Sequence, residues 1–313
     1  MGPLTILVTG AAGFLGQATV RAALAQGHRV RALTRRPAAL PAGAEPFVAD
    51  LSVPGPVPGR ALLGVQAVIH CAARLSGTEA EHQRDTVAAT EHLCHAILTT
   101  GQRPRLVLAG SLSVYGAGHL PPGALLDESC PLEPRPDLRD AYTRAKLAQE
   151  AVARRLAAAG KLPLWTLRAG LLWGAGHLDN AHLGIRLGPL LLRPGAGQLP
   201  LAHVDHVAAA LLAACRSLPV GMDEAVNILD DDLPSRTRYL AAVGRVALPL
   251  HWRIPDALAG MLAPLGPRLP GLLRRPVLRA RLMPLRYTNA QAKARLDWRP
   301  HLPFDIAIRQ AMR

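Results

Sequence analysis

Aromatic side chains are scarce in this sequence: three phenylalanines, four tyrosines and four tryptophans among 313 residues. That supply is too thin for a base-stacking surface, and no RNA- or DNA-module signature accompanies it. Nucleic acid is therefore not expected as a partner, although the net charge is +14 and suits acidic ligands such as nucleotide phosphates or anionic lipid. Cysteine is sparse too. Cys71, Cys94, Cys130 and Cys215 are scattered with no Cys-x-x-Cys pair, which reads as reduced thiols in a cytoplasmic protein, not a disulfide frame or zinc site. The histidines lack a metal pattern: His203 and His206 lie three apart with no evident third ligand, so no metal is expected. No apolar run reaches the ~20 residues of a membrane-spanning helix. Met1 leads almost directly into LTILVTG without a basic n-region or cleavage site, so a signal peptide is not expected. Only three of the 36 basic residues are lysine.

Half of the residues are hydrophobic and 19% are charged, enough for one large core or a core with a smaller lobe. The first half alternates strand-like and helix-like segments. LTILVTG, HRVRALT, AEPFVAD, VQAVIHCAA, PRLVLAGS and LPLWTLRAG read as six strands. Residues 14–26 have helical spacing and stop at Gly27, 79–100 read as one long helix, and 140–159 as another that ends at Gly160. This βαβα rhythm predicts an α/β fold, a Rossmann-type doubly wound parallel sheet. After about residue 170 glycine and proline become dense, with a helix over 204–218 and a strand at EAVNILD. We therefore expect a dinucleotide-binding domain over 1–169, with strands returning to it from 200–230, and a smaller substrate lobe over 170–313.

TGAAGFLG, residues 9–16, sits between the first strand and the first helix. Gly10 allows the tight turn, Gly13 lets a pyrophosphate approach the backbone, and Gly16 lets the helix pack close to the sheet. The helix N-terminus then faces the phosphates, with Ala12, Phe14 and Leu15 completing the segment. Far downstream, Tyr142 and Lys146 in AYTRAK are four apart and share one helix face. A free tyrosine titrates near ~10, too high for a base at neutral pH, and a neighbouring ammonium favours tyrosinate.

TGxxGxxG at the start with YTRAK downstream resembles the extended short-chain dehydrogenase/reductase family, and the resemblance covers nearly the whole chain. VIHCAA is similar to the family segment that closes over the cofactor, implying contacts from Cys71, Ala72 and Ala73. GSLSVYG is similar to the segment carrying the catalytic serine. This implies Ser111, four residues before Tyr115, with Ser113 as the alternative. LRAGLLWG resembles the stretch lining the nicotinamide, implying Ala169 and Leu171. LAHVDHVAAAL and AKARLDWRP resemble the family's HVxD helix start and C-terminal turn. The resemblance implies that Ser111 holds the substrate oxygen, Tyr142 exchanges the proton, and Lys146 also binds the nicotinamide ribose. It further implies that Asp50 and its neighbour Leu51 meet the adenine, and that the chain forms a homodimer through 79–100 and 140–159. Two positions depart from the pattern: Thr86 in TVAAT stands where a structural Asn often sits, and Thr34 stands where NAD-using relatives place a ribose-binding Asp. Arg35 follows Thr34; a guanidinium pairs with a 2′-phosphate that a carboxylate would repel, so NADP is the expected cofactor.

The family includes dehydrogenases, reductases, epimerases and dehydratases, so fold alone does not choose the reaction. Leu112 and Ser113 replace the Asp-Glu pair of the nucleotide-sugar dehydratases. Leu171 replaces an Asn, and Leu199 an Arg, that nucleotide-sugar epimerases use. The expectation is an NADP-dependent oxidoreductase acting on a hydroxyl or ketone of a largely apolar small molecule. The resemblance is closest in pattern to the 3β-hydroxysteroid dehydrogenase-like and β-keto acid reductase branch. A nucleotide-sugar epimerase and a non-catalytic dinucleotide-binding subunit stay open as alternatives. Leu171, Leu172, Trp173 and Leu199 are expected on the substrate pocket, and Arg186 or Arg286 against a substrate carboxylate. Residues 254–286 hold six arginines and one acid, Asp256, among Leu, Met and Val. They suit a Pro-broken helical pair packed on the core, a lid, or peripheral contact with an anionic membrane.

Overall fold

The apolar segments of the first half become strands because helices cover them on both faces, which rewards unbroken runs of β-branched and aliphatic residues. The computed structural model describes residues 2–55, 57–180, 182–188, 190–195, 197–264, 269 and 273–312. Strands β1 (Thr5–Thr9), β2 (Arg29–Thr34), β3 (Glu45–Val48), β4 (Ala67–His70), β5 (Arg105–Ser111), β6 (Leu164–Ala169) and β7 (Asp223–Ile228) form one sheet. Its order is β7-β6-β5-β4-β1-β2-β3, and every neighbouring pair is parallel. The order reverses between β1 and β4, which opens a crevice at the carboxyl ends of those strands. The strand read at EAVNILD is β7, which pairs with β6 at the sheet's edge.

Helices α1 (Phe14–Ala25) and α5 (Val204–Ala214) cover one face, with Ile6, Val8, Trp165 and Leu167 packed beneath them. On the other face Leu7, Val68, Leu106 and Leu108 pack against the helices that precede and follow β5. The first of these, expected as a single helix over 79–100, is not uniform. It runs as α2 (Glu79–His82), a π-helical segment Gln83–Ala88, and α3 (Ala89–Thr99). The wider turn is stitched by threonines. Thr86 Oγ1 accepts from the Arg74 amide at 2.9 Å, and Thr90 donates back to the Thr86 carbonyl at 2.7 Å. Thr86 thus supplies a local hydrogen bond at the position where an Asn was noted as missing.

The second, α4 (Ala141–Gly160), corrects the reading of its end. Gly160 is the last helical residue, and Lys161 takes the left-handed cap at φ 52°. A Cβ on Gly160 would lie 2.1 Å from Leu98 Cδ2. The glycine sits inside the helix, where the Leu98 side chain of the neighbouring helix packs against it, and not in a turn.

Beyond β6, Leu171–Trp173 pairs with Leu201–His203, and Ile185–Leu187, Leu190–Pro194 and Leu248–Leu250 form a small sheet. The 254–286 stretch holds two helices, Arg253–Met261 and Arg275–Leu282; residues 265–268 and 270–272 between them lie outside the described residues. On the first helix Ile254, Leu258 and Met261 are exposed while Pro255 and Ala259 are buried, and Asp256 pairs with Arg275 at 2.9 Å. The Trp-Arg-Pro turn is held by His206. Its Nε2 accepts from the amides of His301 and Leu302, and its Nδ1 donates to Asp230 at 2.7 Å. Trp298 Nε1 donates to the His206 carbonyl.

Candidate active site

At the end of β1 the chain turns at Gly10 (φ 64°), and the Gly13 amide closes the turn on the Gly10 carbonyl at 2.9 Å. A Cβ on Gly10 would lie 2.8 Å from the Ala72 amide nitrogen, and one on Gly16 would lie 2.1 Å from the Gly10 carbonyl oxygen. Neither position admits a side chain. Gly13, which caps α1, offers no side-chain bond to the helix N-terminus and no acid sits in the first turn, so the first amides stay available to an anion. A groove of about 610 Å³ runs from Gly10, Ala12 and Gly13 past Cys71, Ala72 and Ala73 to Arg35, Asp50 and Leu51. These residues fit an extended dinucleotide. Phe14, Leu15, Gly16, Ala169 and Leu171 are not on the wall of this groove; Phe14 stacks on His177, and Leu15 and Ala169 belong to the core.

At the far end of the groove Arg35 lies 3.5 Å from both Asp50 and Asp85. Asp85, which the sequence reading missed, comes from the π-helical segment. It is buried and also pairs with Arg74 at 2.9 Å and Arg84 at 2.7 Å. Burial pushes its carboxyl up, but Arg84, Arg35 and Arg74 outweigh that and hold it below the usual range. Hydrogen bonds from Ser52 lower Asp50 in the same direction. Arg36, also on the groove wall, has no carboxylate within ion-pair distance among the described residues. No carboxylate stands at Thr34, which is buried.

Ser111, Tyr142 and Lys146 are not on the wall of this groove either; β5 carries Ser111 at its end, and the first turn of α4 carries Tyr142. Asp140 caps that helix through the Thr143 amide at 2.9 Å. The Ser111 hydroxyl lies beside that of Tyr142. Burial raises Tyr142 above its ordinary pKa and Asp140 adds to the rise, while the neighbouring Ser111 hydroxyl opposes it. This differs from the expected lowering by Lys146. The Lys146 ammonium is held elsewhere, donating to the Ala109 carbonyl at 2.7 Å and to Gln149 Oε1 at 2.5 Å. Burial brings Lys146 down to about 8, against the pull of Glu150 and Cys71.

Gln149 opens a buried polar chain. Its Nε2 donates to Thr90 Oγ1 at 2.9 Å, and Thr90 meets His70 Nε2 at 2.9 Å. His70 Nδ1 meets Thr9 Oγ1 at 2.6 Å. Because Thr90 spends its proton on the Thr86 carbonyl, it accepts from both Gln149 and His70. His70 therefore carries its proton on Nε2 and accepts from Thr9. Burial first, and Lys146 second, bring His70 down to about 3, so it is neutral. Gln149 was legible in principle, since i and i+3 share a helix face with Lys146.

Several expected pocket residues lie elsewhere. Trp173 and Leu199 are 1% and 0% exposed and belong to the core of the carboxyl-terminal part. Trp173 donates to Asp230 at 2.8 Å. Leu171 packs on that cluster and Leu172 on the sheet's core, each partly buried. Arg186 is exposed and paired with Asp179, and Arg286 is exposed and donates to the Gly123 carbonyl. The Cys71 thiol is pushed up to about 12 by burial, which makes it a wall, not a nucleophile.

The model of the NAD dependent epimerase/dehydratase family matches residues 6–228. The chain is 31% identical over 235 residues to dTDP-6-deoxy-L-talose 4-dehydrogenase (NAD(P)(+)) of Kitasatospora kifunensis, across 69% of this chain and 72% of that one. It is 32% identical over 259 residues to 2-alkyl-3-oxoalkanoate reductase of Stenotrophomonas maltophilia, across 77% and 76%. Among solved structures, MoeE5 in complex with UDP-glucose and NAD shares the fold, with a TM-score of 0.71 at 24% identity over 99% of this chain and 97% of that one.

Proposed function

This chain belongs to the NAD-dependent epimerase/dehydratase family, and within it we propose an NADP-dependent reductase of a ketone on a largely apolar skeleton. The carrying observation is that the Ser111 hydroxyl at the end of β5 neighbours the Tyr142 hydroxyl in the first turn of α4, with Lys146 one turn and Gln149 two turns further along that helix. A bound nicotinamide dinucleotide would supply or take the hydride. On this reading the Ser111 hydroxyl donates to the substrate oxygen and orients it. Tyr142, held protonated by burial and by Asp140, gives that oxygen its proton, so the site favours reduction. In the reverse direction the same hydroxyl must lose its proton, which its surroundings oppose. Lys146, bonded on two sides, presents its ammonium at a fixed point under Ala109.

NADP is favoured by Thr34 in place of a carboxylate and by Arg36. Arg35 is already shared by Asp50 and Asp85, so Arg36 is the better partner for a 2′-phosphate than Arg35. For the substrate, the similarity to an oxoalkanoate reductase favours an apolar oxo acid. The second reading, action on a nucleotide sugar, is favoured by the similarity to the talose dehydrogenase. The test compares NADPH oxidation with a long-chain 3-oxo acid, a sterol ketone and dTDP- and UDP-sugars. Turnover of a nucleotide sugar with none of the ketones would reverse the choice. Tyr142→Phe should lower kcat by about a thousandfold and leave dinucleotide binding intact by titration; retained activity would remove Tyr142 from its role.

A further inference from the structure

The Lys146 ammonium is buried among neutral hydrogen-bond partners. Among the described residues it donates to the Ala109 carbonyl and to Gln149 Oε1, and to no carboxylate. Glu150 and Cys71 bear on it electrostatically. Glu150 is held by Arg168 at 2.9 Å, the Cys71 thiol is protonated, and His70 is neutral. The Gln149 oxygen is therefore one of two acceptors that stand in for a counter-charge. An amide carries an acceptor and a donor of nearly the same size, so packing alone does not choose which end faces the lysine. Turned the other way, Gln149 would set its NH2 group against the ammonium. The ammonium prefers the oxygen, and the far end of the amide sets what that preference costs.

The far end meets Thr90. Its hydroxyl gives its one proton to the carbonyl of Thr86, in the π-helical segment, at 2.7 Å. Thr90 Oγ1 is then left with acceptor capacity only. Gln149 Nε2 donates to it at 2.9 Å, and His70 Nε2 meets it at 2.9 Å from the other side. The same Nε2 also donates to the carbonyl of Ala72, on the groove wall, at 3.4 Å. Both oxygens that face this end of the amide call for a donor, so Oε1 is turned toward Lys146.

We propose that Thr90 is a positioning residue for Lys146: by committing its proton to the Thr86 carbonyl, it fixes the Gln149 amide with its oxygen on the ammonium. The inference rests on the reading of Lys146 as part of the reacting set. Removing the Thr90 hydroxyl frees the amide to turn, and the charged form of the lysine then loses part of an acceptor.

The test needs no substrate. The chain has three lysines, Lys146, Lys161 and Lys293, so the full chain labelled with carbon-13 lysine gives three Cε signals, and the one missing from Lys146→Arg identifies Lys146. Its titration with pH is followed in Thr90→Val, which keeps the shape of the side chain, and in Thr90→Ser, which keeps the hydroxyl. The valine variant should titrate lower by about half a pH unit and the serine variant within about 0.2 of the parent. Thr90→Val combined with Gln149→Leu should titrate with Gln149→Leu alone, because Thr90 acts through Gln149. The Lys161 and Lys293 signals report whether each variant is folded, and Thr90→Ala serves if the valine variant is not. Equal titration of the valine and serine variants would overturn the proposal, and so would additive shifts in the double variant. Where a ketone is turned over, the alkaline limb of kcat/KM should move with the signal. A signal that moves while the limb stays would uphold the placement by Thr90 and remove the Lys146 charge from the reductase reading.

Discussion

Two buried arginines show how the halves of the molecule treat charge. Arg168, at the end of β6, meets Glu150 at 2.9 Å and donates to Tyr115 at 3.0 Å; Tyr115 in turn donates to Asn227 on β7 at 2.8 Å. Burial works against its charge, but Glu150 and Tyr115 outweigh it and hold the guanidinium above its ordinary pKa. Arg236 is as deeply buried, has carbonyls but, among the described residues, no carboxylate within ion-pair distance, and is lowered instead by burial. Around the sheet, charge is buried in closed pairs that fasten α4 to β6 and β7. In the carboxyl-terminal part, Arg236 is buried on main-chain carbonyls instead. A closed ion pair fastens one element to another, whereas a buried guanidinium on carbonyls alone keeps more of its desolvation cost.

The largest stability effect should come from opening the closed pair. Glu150→Gln leaves Arg168 buried without a counter-charge, which costs about 3–5 kcal/mol by analogy with other broken buried pairs. Arg236→Met removes a charge that has no counterpart. It leaves two carbonyls short of a donor but relieves the desolvation cost, and the effects should offset to within about 1 kcal/mol. Denaturant unfolding of both variants measures the difference. Equal losses would erase the distinction between the two arginines.

The same contrast explains what could be read before the fold was known. The cradle at Gly10, Gly13 and Gly16 and the parallel strands rest on local patterns, and Tyr142 and Lys146 on spacing along one helix, and such patterns survive folding; Ser111 came from the family resemblance alone. Gly160 misled because a glycine that ends a helix and one that admits Leu98 look alike in sequence. Trp173 and Leu199 were expected on a pocket, and apolar residues near a site are as readily its core as its lining. Asp85 was hidden because a π-helical segment aims it into the groove, a geometry with no signature in the letters QRDTVA. Arg236 was one of many arginines, and only the fold shows that its partners among the described residues are carbonyls and not a carboxylate.

A smaller effect sharpens the comparison inside the sheet half, where Gln149 holds Lys146. Lys146 sits at about 8, so activity that needs the ammonium should fall as pH rises through that value. Gln149 Oε1 accepts from the charged form and thereby stabilises it. Gln149→Leu should therefore lower the Lys146 pKa further and move the alkaline limb of kcat/KM toward acid by about one pH unit. Gln149→Glu places a carboxylate there and should move the limb the other way. A purely structural role would give losses of kcat without opposite shifts, and the two pH profiles decide between them.

The smallest effect concerns the adenosine end, where closed and open guanidiniums are neighbours in sequence. Arg35 is shared by Asp50 and Asp85, and Asp85 also holds Arg74 and Arg84, so removing Arg35 loosens a network. Arg36 has no such commitments among the described residues and lies on the groove wall. A phosphate contact by an exposed guanidinium contributes about 1 kcal/mol, partly screened by salt. Arg36→Ser should weaken NADPH binding about fivefold, leave NADH binding within about twofold, and lose its effect as ionic strength rises. Arg35→Ser should instead weaken both dinucleotides together, because Asp50 and Asp85 are then left facing each other across the groove. Fluorescence titration of both reduced dinucleotides at low and high salt separates the two outcomes. An Arg36→Ser variant that binds NADPH and NADH as the parent does would return the 2′-phosphate to Arg35, and with it the closed network would become a binding site.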